Sequence, residues 1–243
     1  MSADRLSTRQ MAARAAQDIP DGAYVNLGIG LPTLVGEVVD PAKEIIYHSE
    51  NGILGMGPPP QPGEEDPELI NAGKQLVTLV PGGAFVHHTD SFVMMRGGHL
   101  DVSVLGAFQV SAQGDLANWA TDDSAMPPAV GGAMDLAVGA KRVLVVTTHT
   151  TRDGRPKILE RCTYPLTAAR VVHRIYTDLA VLDVVPDGLL VREVVAGTSP
   201  AELQDLTGAP LRFADDLGVL DPAVASADRP TGPPAALGDV TQS

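Results

Sequence analysis

Short apolar segments with strand character alternate with helix-like segments through most of residues 20–150. This alternation is typical of βαβ units, in which helices connect neighbouring parallel strands. Residues 142–147 form a short, continuous apolar run, which is typical of a strand covered on both faces. The sequence therefore predicts an α/β fold with a mostly parallel, open sheet and helices on both faces.

Periodicity and helix start and stop signals place the individual elements. The predicted helices are residues 4–18, a segment opened by a glycine loop at 28–33 and running to 39, residues 90–96 with Asp90 as the cap, residues 131–140, and a segment from 199 to about 208. The predicted strands are residues 23–27, 44–48, 75–80, 84–87, 100–105, 142–147, 157–162, 179–185 and 189–195. Residues 108–110 and 116–119 predict a hairpin, and residues 55–68 predict an irregular loop.

The composition indicates one globular domain with a tail. At 44% hydrophobic and 19% charged residues, the 243-residue chain has material for a full core. We predict one domain over residues 1–220. Residues 221–243 are rich in Pro, Ala, Asp and Gly and predict a disordered tail.

The charge and the single cysteine limit the function classes. A formal net charge of −13 argues against a nucleic-acid binder, which needs a basic face. A phosphate-bearing ligand would have to be held by glycines, helix N-termini, a few basic side chains or another subunit. One cysteine allows no intrachain disulfide, no segment reaches the roughly 18 apolar residues of a membrane helix, and no signal peptide is evident, so we expect a cytoplasmic protein.

Residues 45–58 contain the leading candidate for a catalytic group. An apolar run ends at Glu50, and the turn-forming pair Asn51-Gly52 follows it. A carboxylate at the carboxyl end of a strand lies where open α/β sheets bind their ligands. Glu50 is thus a candidate nucleophile, because a carboxylate can attack an acyl group that carries a good leaving group such as a thiolate. The alternative is a carboxylate that caps a turn or faces water.

The glycine loop around Gly28 and Gly30 admits a second interpretation. It could bring backbone N–H groups near a ligand. Glu50 follows Gly30 by 20 residues, which is the spacing of the ribose-binding acid in dinucleotide-binding folds. Thr33 stands where that fingerprint has glycine or alanine, and a glycine–proline loop follows Glu50 in place of a helix. A nicotinamide-dependent oxidoreductase is therefore the alternative function.

Other candidate groups have weaker signals. Gly131, Gly132 and Ala133 precede a predicted helix and could form an oxyanion site, or they could form a tight turn for packing. The six histidines show no metal-binding spacing, so we predict no metal. Cys162 lies in an apolar run and is expected to be buried and inert.

Several motifs in order along the chain resemble the B subunit of the family I CoA-transferases, and most closely the succinyl-CoA:3-ketoacid and 3-oxoadipate enzymes. The resemblance covers about residues 5–217. It rests on Asn26-Leu27-Gly28-Ile29-Gly30-Leu31-Pro32, Ser49-Glu50-Asn51-Gly52-x-x-Gly55, Ile70-Asn71-Ala72-Gly73-Lys74, Arg96-Gly97-Gly98-His99-Leu100-Asp101, Gly114-Asp115-Leu116-Ala117-Asn118-Trp119 and Gly131-Gly132-Ala133-Met134-Asp135-Leu136.

The resemblance implies a CoA-transferase fold and a catalytic role for Glu50, which would carry the acyl group and then CoA as a glutamyl thioester. It implies substrate or CoA binding by Asn26, Gly28, Gly30, Lys74 and the segment Gly131, Gly132 and Ala133. It also implies coenzyme A esters as substrates, no further cofactor, and an A subunit that completes the site in an A2B2 heterotetramer. A non-catalytic subunit of the same fold is a further alternative.

Overall fold

The structure, a computed structural model, describes residues 5–121 and 129–221. The predicted tail, except for Asp221, lies outside the described residues. Five helices occur in these ranges: α1 (Thr8–Gln17), α2 (Thr33–Val38), α3 (His88–Arg96), α4 (Ala133–Gly139) and α5 (Pro200–Asp205). None of these helices has both the length and the apolar character needed to cross a bilayer.

The described strands form two sheets. In chain order they are β1 (Tyr24–Leu27), β2 (Ile46–Ser49), β3 (Ile53–Met56), β4 (Leu79–Phe85), β5 (Val102–Leu105), β6 (Gln109–Ser111), β7 (Leu116–Ala117), β8 (Arg142–Val146), β9 (Ile158–Leu159), β10 (Val172–Tyr176), β11 (Ala180–Val185), β12 (Gly188–Val195) and β13 (Leu211–Leu220). The ten-stranded sheet has the order β13-β12-β11-β10-β8-β5-β1-β2-β3-β4, and the three-stranded sheet has the order β7-β6-β9.

The centre of the large sheet is parallel. Strands β10, β8, β5, β1 and β2 pair in parallel, and β12 pairs in parallel with β13. The pairs β2–β3, β3–β4, β10–β11 and β11–β12 are antiparallel. The predicted α/β class with a mostly parallel sheet is confirmed, and the antiparallel pairs flank the parallel centre.

Strand β8 shows why one apolar run needs two layers of helices. Val143 and Val145 belong to the core on one face of the sheet, together with residues of α3, α4, α5 and the three-stranded sheet. Leu144 and Val146 belong to the core on the other face, together with residues of α1 and α2. Because successive strand residues point to opposite faces, a strand covered on both sides must be apolar throughout. The predicted helices on both faces are confirmed.

Local capping chemistry sets where several helices begin. Ser7 and Gln10 form a reciprocal capping box, so α1 begins at Thr8 and not at residue 4 as predicted. Ser199 and Glu202 form the same arrangement at α5, as the sequence predicts. The predicted cap of α3 at Asp90 is wrong, because the His87 side chain accepts the capping hydrogen bond from the Thr89 N–H.

Three strands were not predicted. β3 turns back from β2 as a hairpin partner, where the sequence predicted the start of an irregular loop from residue 55. Arg174 and the adjacent His173 interrupt the apolar pattern of β10, and three charged residues interrupt that of β13, which hides the extended structure of both strands in the sequence. The two extended segments predicted at 75–80 and 84–87 are largely one edge strand, β4, with Pro81 and two glycines in its middle.

Candidate active site

A large cavity opens at the carboxyl ends of the parallel strands. It has a volume of about 880 Å³. Its wall includes Asn26 at the end of β1, Glu50 just after β2, Gly106 just after β5 and Thr147 just after β8. Open α/β sheets bind ligands in this position, so the fold identifies the cavity as the candidate active site.

Glu50 lies in the turn of the β2–β3 hairpin, and the backbone of that turn is tightly held. The N–H of Gly52 donates to the Ser49 carbonyl at 3.0 Å, and the Val86 N–H donates to the Gly52 carbonyl at 2.9 Å. Gly52 has a φ of +113°, and a Cβ at this position would lie 2.3 Å from the Val86 carbonyl oxygen. Only glycine fits there, so a single turn geometry sets the position of Glu50.

The Glu50 carboxylate rests against the start of α4. A Cβ on Gly132 would lie 2.0 Å from Oε2 of Glu50, so the carboxylate occupies the space that any larger residue at 132 would fill. Burial raises the pKa of Glu50; Asp135 acts in the same sense and His88 in the opposite sense. Within the described ranges no hydrogen bond to the carboxylate is found. Glu50 therefore caps no turn, and its oxygens are available to a ligand.

Asn26, on the wall of the same cavity, is held by a buried chain of hydrogen bonds. Its Nδ2 donates to the His48 carbonyl at 3.0 Å and lies 3.1 Å from Nδ1 of His48. Because Nδ2 is a donor, Nδ1 must be the acceptor, and Nε2–H then donates to the Ser91 hydroxyl at 2.8 Å. Burial lowers the pKa of His48 to about 4, which keeps the ring neutral at neutral pH. His48 therefore holds the Asn26 side chain in place.

Residues 70–75, within the long connection between β3 and β4, pack on the Glu50 hairpin. The Ala72 N–H donates to the Ser49 hydroxyl at 2.9 Å, and Nδ2 of Asn51 donates to the Ile70 carbonyl at 2.7 Å. Lys74 forms the tight part of this loop with a φ of +62°. Its side chain is exposed, and Lys74 does not line the cavity in the described structure.

The other predicted site residues divide into two groups. Gly28 lines the cavity, and its N–H donates to the Val104 carbonyl at 2.8 Å, which ties the glycine loop to β5. Gly30 turns away from the cavity wall and accepts from the hydroxyl of Thr33 at 2.6 Å. The predicted residues that share the cavity are Asn26, Gly28, Glu50, Gly131, Gly132 and Ala133. Lys74 and Gly30 are the two that do not line it.

Lys157 lines the same cavity, and the sequence predicted it only as the start of a strand. Its ammonium group donates to the Thr147 hydroxyl, and that hydroxyl donates to the Ala107 carbonyl at 2.9 Å. Burial lowers the pKa of Lys157 to about 8. Only the folded structure identifies Lys157 as a cavity residue, because its contact with Thr147 joins two residues on either side of a loop.

The described residues contain no group of three His, Cys, Asp or Glu side chains that could hold a metal ion. Cys162 is half-buried and not fully buried as expected. Burial, and to a lesser degree Asp115, raises the pKa of its thiol to about 11, so the thiol stays protonated at neutral pH.

The fold and the cavity define an open α/β protein with a half-buried carboxylate at the ligand-binding edge of its sheet, and this carboxylate has no hydrogen-bond or ion-pair partner in residues 5–121 and 129–221. The sequence matches the Coenzyme A transferase family over residues 8–197, and the chain belongs to this family. It is therefore a transferase, and the resemblance predicted from its motifs is confirmed. Membership of this family does not favour the alternative function considered from the sequence, a nicotinamide-dependent oxidoreductase.

Curated relatives match most of the chain. The B subunit of the 3-oxoadipate CoA-transferase of Acinetobacter baylyi is 61% identical over 211 residues, which are 87% of this chain and 97% of the relative. The B subunit of a probable succinyl-CoA:3-ketoacid coenzyme A transferase of Bacillus subtilis is 46% identical over 201 residues, which are 83% of this chain and 93% of the relative.

Solved structures share the fold at low sequence identity. An acyl-CoA transferase (YdiF) of Escherichia coli O157:H7 aligns with a TM-score of 0.73 and 21% identity, over 91% of this chain and 45% of that chain. The chain thus spans less than half of that protein's length. Glutaconate coenzyme A-transferase of Acidaminococcus fermentans aligns with a TM-score of 0.64 and 18% identity, over 92% of this chain and 93% of that chain.

Proposed function

We propose that this chain is the catalytic B subunit of a CoA-transferase that moves CoA from succinyl-CoA to a 3-oxoacid. The observation that carries the proposal is the Glu50 carboxylate, half-buried and without a hydrogen-bond partner among the described residues, at the ligand-binding edge of a family-typical sheet. Identity of 61% to a 3-oxoadipate CoA-transferase chain, against 46% to a succinyl-CoA:3-ketoacid one, supports 3-oxoadipate as the acceptor.

In the proposed reaction Glu50 is a nucleophile. A carboxylate oxygen forms a bond to the acyl carbon of the thioester, and the carbon–sulfur bond breaks to release the CoA thiolate. The thiolate then attacks the glutamyl carbonyl of the resulting anhydride, which releases the donor acid and leaves CoA on Glu50 as a thioester. The acceptor carboxylate takes CoA by the reverse steps, so no redox change and no net proton transfer occur.

The surroundings of Glu50 support this role. A carboxylate is a weak nucleophile in water, and partial burial, which raises its pKa, also removes the hydration that weakens it. The tetrahedral intermediates carry negative charge on oxygen, which needs nearby donors. The segment Gly131, Gly132 and Ala133 lies on the cavity wall beside the carboxylate. The Ala133 N–H donates to the Val130 carbonyl at 3.3 Å, so the N–H groups of Gly131 and Gly132 are our candidates for those donors.

We further propose that an A subunit covers the cavity, in an A2B2 heterotetramer. Large apolar side chains that line the cavity are exposed in the isolated chain: Ile29, Leu76, Val80 and Phe108. An apolar rim around an open cavity is typical of a surface that a partner covers. Closure by a partner would also exclude water, which otherwise hydrolyses an anhydride or a thioester.

Borohydride trapping tests the role of Glu50. The complex of this chain with its A subunit is incubated with succinyl-CoA, treated with borohydride, digested and analysed by mass spectrometry. We expect reduction of Glu50 to the alcohol, because borohydride reduces the thioester and leaves ordinary carboxylates intact.

Two variants serve as controls for the trapping. Glu50→Gln should abolish both the trapped product and CoA transfer, whereas Glu68→Gln, which changes an exposed acid outside the cavity, should leave both unchanged. Trapping at another residue, or full transfer by the Glu50→Gln complex, would exclude Glu50 as the nucleophile.

A further inference from the structure

Lys157 is the only lysine or arginine among the described residues that line the cavity. The wall otherwise combines apolar and neutral polar groups with the acids Glu37 and Glu50. The chain has a net charge of −13, so the lysine inside the cavity is not part of a general excess of positive charge. A lysine half removed from water stays charged most readily when an anion binds beside it.

The protein itself provides no such anion at contact distance. Within the described ranges no carboxylate lies within ion-pair distance of Lys157, and Asp178 acts on it only through its longer-range field. One N–H of the ammonium group donates to the Thr147 hydroxyl, and that hydroxyl is already committed to the Ala107 carbonyl. The ammonium group is therefore anchored through Thr147 and retains donors for a ligand.

The position of Lys157 relative to Glu50 suggests the length of that ligand. Thr147 and Ala107 place the ammonium group at the ends of β8 and β5, whereas Glu50 follows β2, and β1 lies between β5 and β2. Two to three strand spacings correspond to about 10 to 14 Å between the backbones. Lys157 and Glu50 line one cavity, and its volume of about 880 Å³ has room for an acid of four to six carbons.

We propose that Lys157 binds the non-reacting carboxylate of a dicarboxylic substrate while the other end of the substrate reacts at Glu50. The inference rests on the proposed function, since it places the substrate in the Glu50 cavity. Succinyl and 3-oxoadipyl groups carry such a second carboxylate, and acetoacetate does not. Lys157 is therefore a specificity-determining residue that favours dicarboxylic over monocarboxylic acids.

Steady-state kinetics on the complex with the A subunit tests the proposal. The KM for 3-oxoadipate is compared with the KM for acetoacetate in the wild type and in Lys157→Met. We expect the KM for the dicarboxylic acid to rise about 10- to 100-fold, the range of a charged hydrogen bond, and the KM for the monocarboxylic acid to change less than about threefold. Lys157→Arg should recover part of the loss.

A matched control and a folding measurement accompany these variants. Lys141→Met removes the same charge at an exposed site that pairs with Asp101 outside the cavity, and should alter neither KM. Denaturant unfolding identifies a Lys157→Met chain that is merely misfolded. If Lys157→Met is misfolded, Lys157→Arg replaces it as the test variant. The affinities of the Glu50→Gln complex for succinate and for butyrate are then measured by direct titration, with and without Lys157→Arg. Preferential binding of succinate that the arginine variant retains supports the proposal.

The outcomes separate this inference from the proposed function. An equal rise in both acid KM values, or a rise in KM for every CoA ester whatever its acyl group, would overturn the carboxylate role and point to CoA itself. Borohydride trapping with acetoacetyl-CoA should label Glu50 equally in the wild type and in Lys157→Met. Absence of label from succinyl-CoA in the wild type would refute the proposed function, whereas equal labelling by succinyl-CoA in the wild type and in Lys157→Met at limiting concentration would refute only the role of Lys157.

Discussion

Gly132→Ala should separate catalysis from stability, because the nearest neighbour of the added methyl group is the catalytic candidate itself. The new Cβ would lie 2.0 Å from Oε2 of Glu50, and contacts of a Cβ below 3.0 Å essentially do not occur. The carboxylate must therefore move by at least about 1 Å. A displacement of this size in a reacting group costs on the order of 100-fold in rate.

The backbone at Gly132 places no penalty on alanine. Its φ of −79° and ψ of −2° are helical, and the atoms in conflict form the far end of a flexible side chain. At a compatible position, glycine to alanine stabilises a protein by about 0.4–1 kcal/mol through the unfolded state. We therefore expect an unfolding free energy equal to or slightly above that of the wild type, with kcat about 100-fold lower.

Denaturant unfolding of the chain and turnover of the complex with the A subunit measure the two effects. A shorter acid provides an internal control: the loss caused by Gly132→Ala should be smaller in a Glu50→Asp background, because the retracted carboxylate leaves room for the methyl group. Wild-type turnover by Gly132→Ala, or strictly additive losses in the double variant, would refute the contact as the origin of the effect.

Three further predictions concern the groups around the site. Asn26→Ala should lower stability by about 1–3 kcal/mol and reduce turnover, because it removes the donor to two buried acceptors on His48; thermal unfolding and kinetics check this. Gly52→Ala should destabilise the chain by more than about 2 kcal/mol, since it combines a positive φ with a clash against the Val86 carbonyl, and urea unfolding measures the loss. His48 and His149 are buried and neutral with pKa values of about 4, so the unfolded state binds more protons below pH 6.5. Unfolding free energy should fall between pH 6.5 and 4.5, and less steeply in His149→Gln; an equal slope in both proteins would contradict this origin.

The sequence predicted the class of fold because that class depends on local patterns. The apolar run at β8 and the alternation around it require a sheet covered on both faces, and this is what the structure has. β10 escaped prediction because Arg174 interrupts its apolar pattern. Arg174 is neutralised there by Asp18, 156 residues away, and by Asp183 on the neighbouring strand, and single-sequence periodicity contains neither partner.

The residues of the candidate site also fall into those with a local signal in the sequence and those whose role depends on distant contacts. Glu50 and the Asn51-Gly52 turn are local signals, and the structure places them where the sequence predicted. From the sequence alone, Gly132 was equally consistent with an oxyanion site and with a packing turn, because its contact with Glu50 joins residues far apart in the chain. Lys157 was missed for the same reason, since its meaning depends on Thr147 and on the shape of the cavity. The family itself came from the order of many motifs and not from periodicity.

Strand β4, the outermost strand beside the Glu50 hairpin, has a consequence for the behaviour of the protein in concentrated solution. An exposed sheet edge is a template for unwanted pairing between molecules, and β4 carries the exposed apolar residues Val80 and Phe85. Pro81 removes a backbone donor from this edge, and the neighbouring Gly82 adopts a φ of +84°, which interrupts a flat extended strand. Pro81 and Gly82 thus interrupt this edge, so Pro81→Val, which restores the backbone donor, should increase edge-to-edge aggregation of the chain.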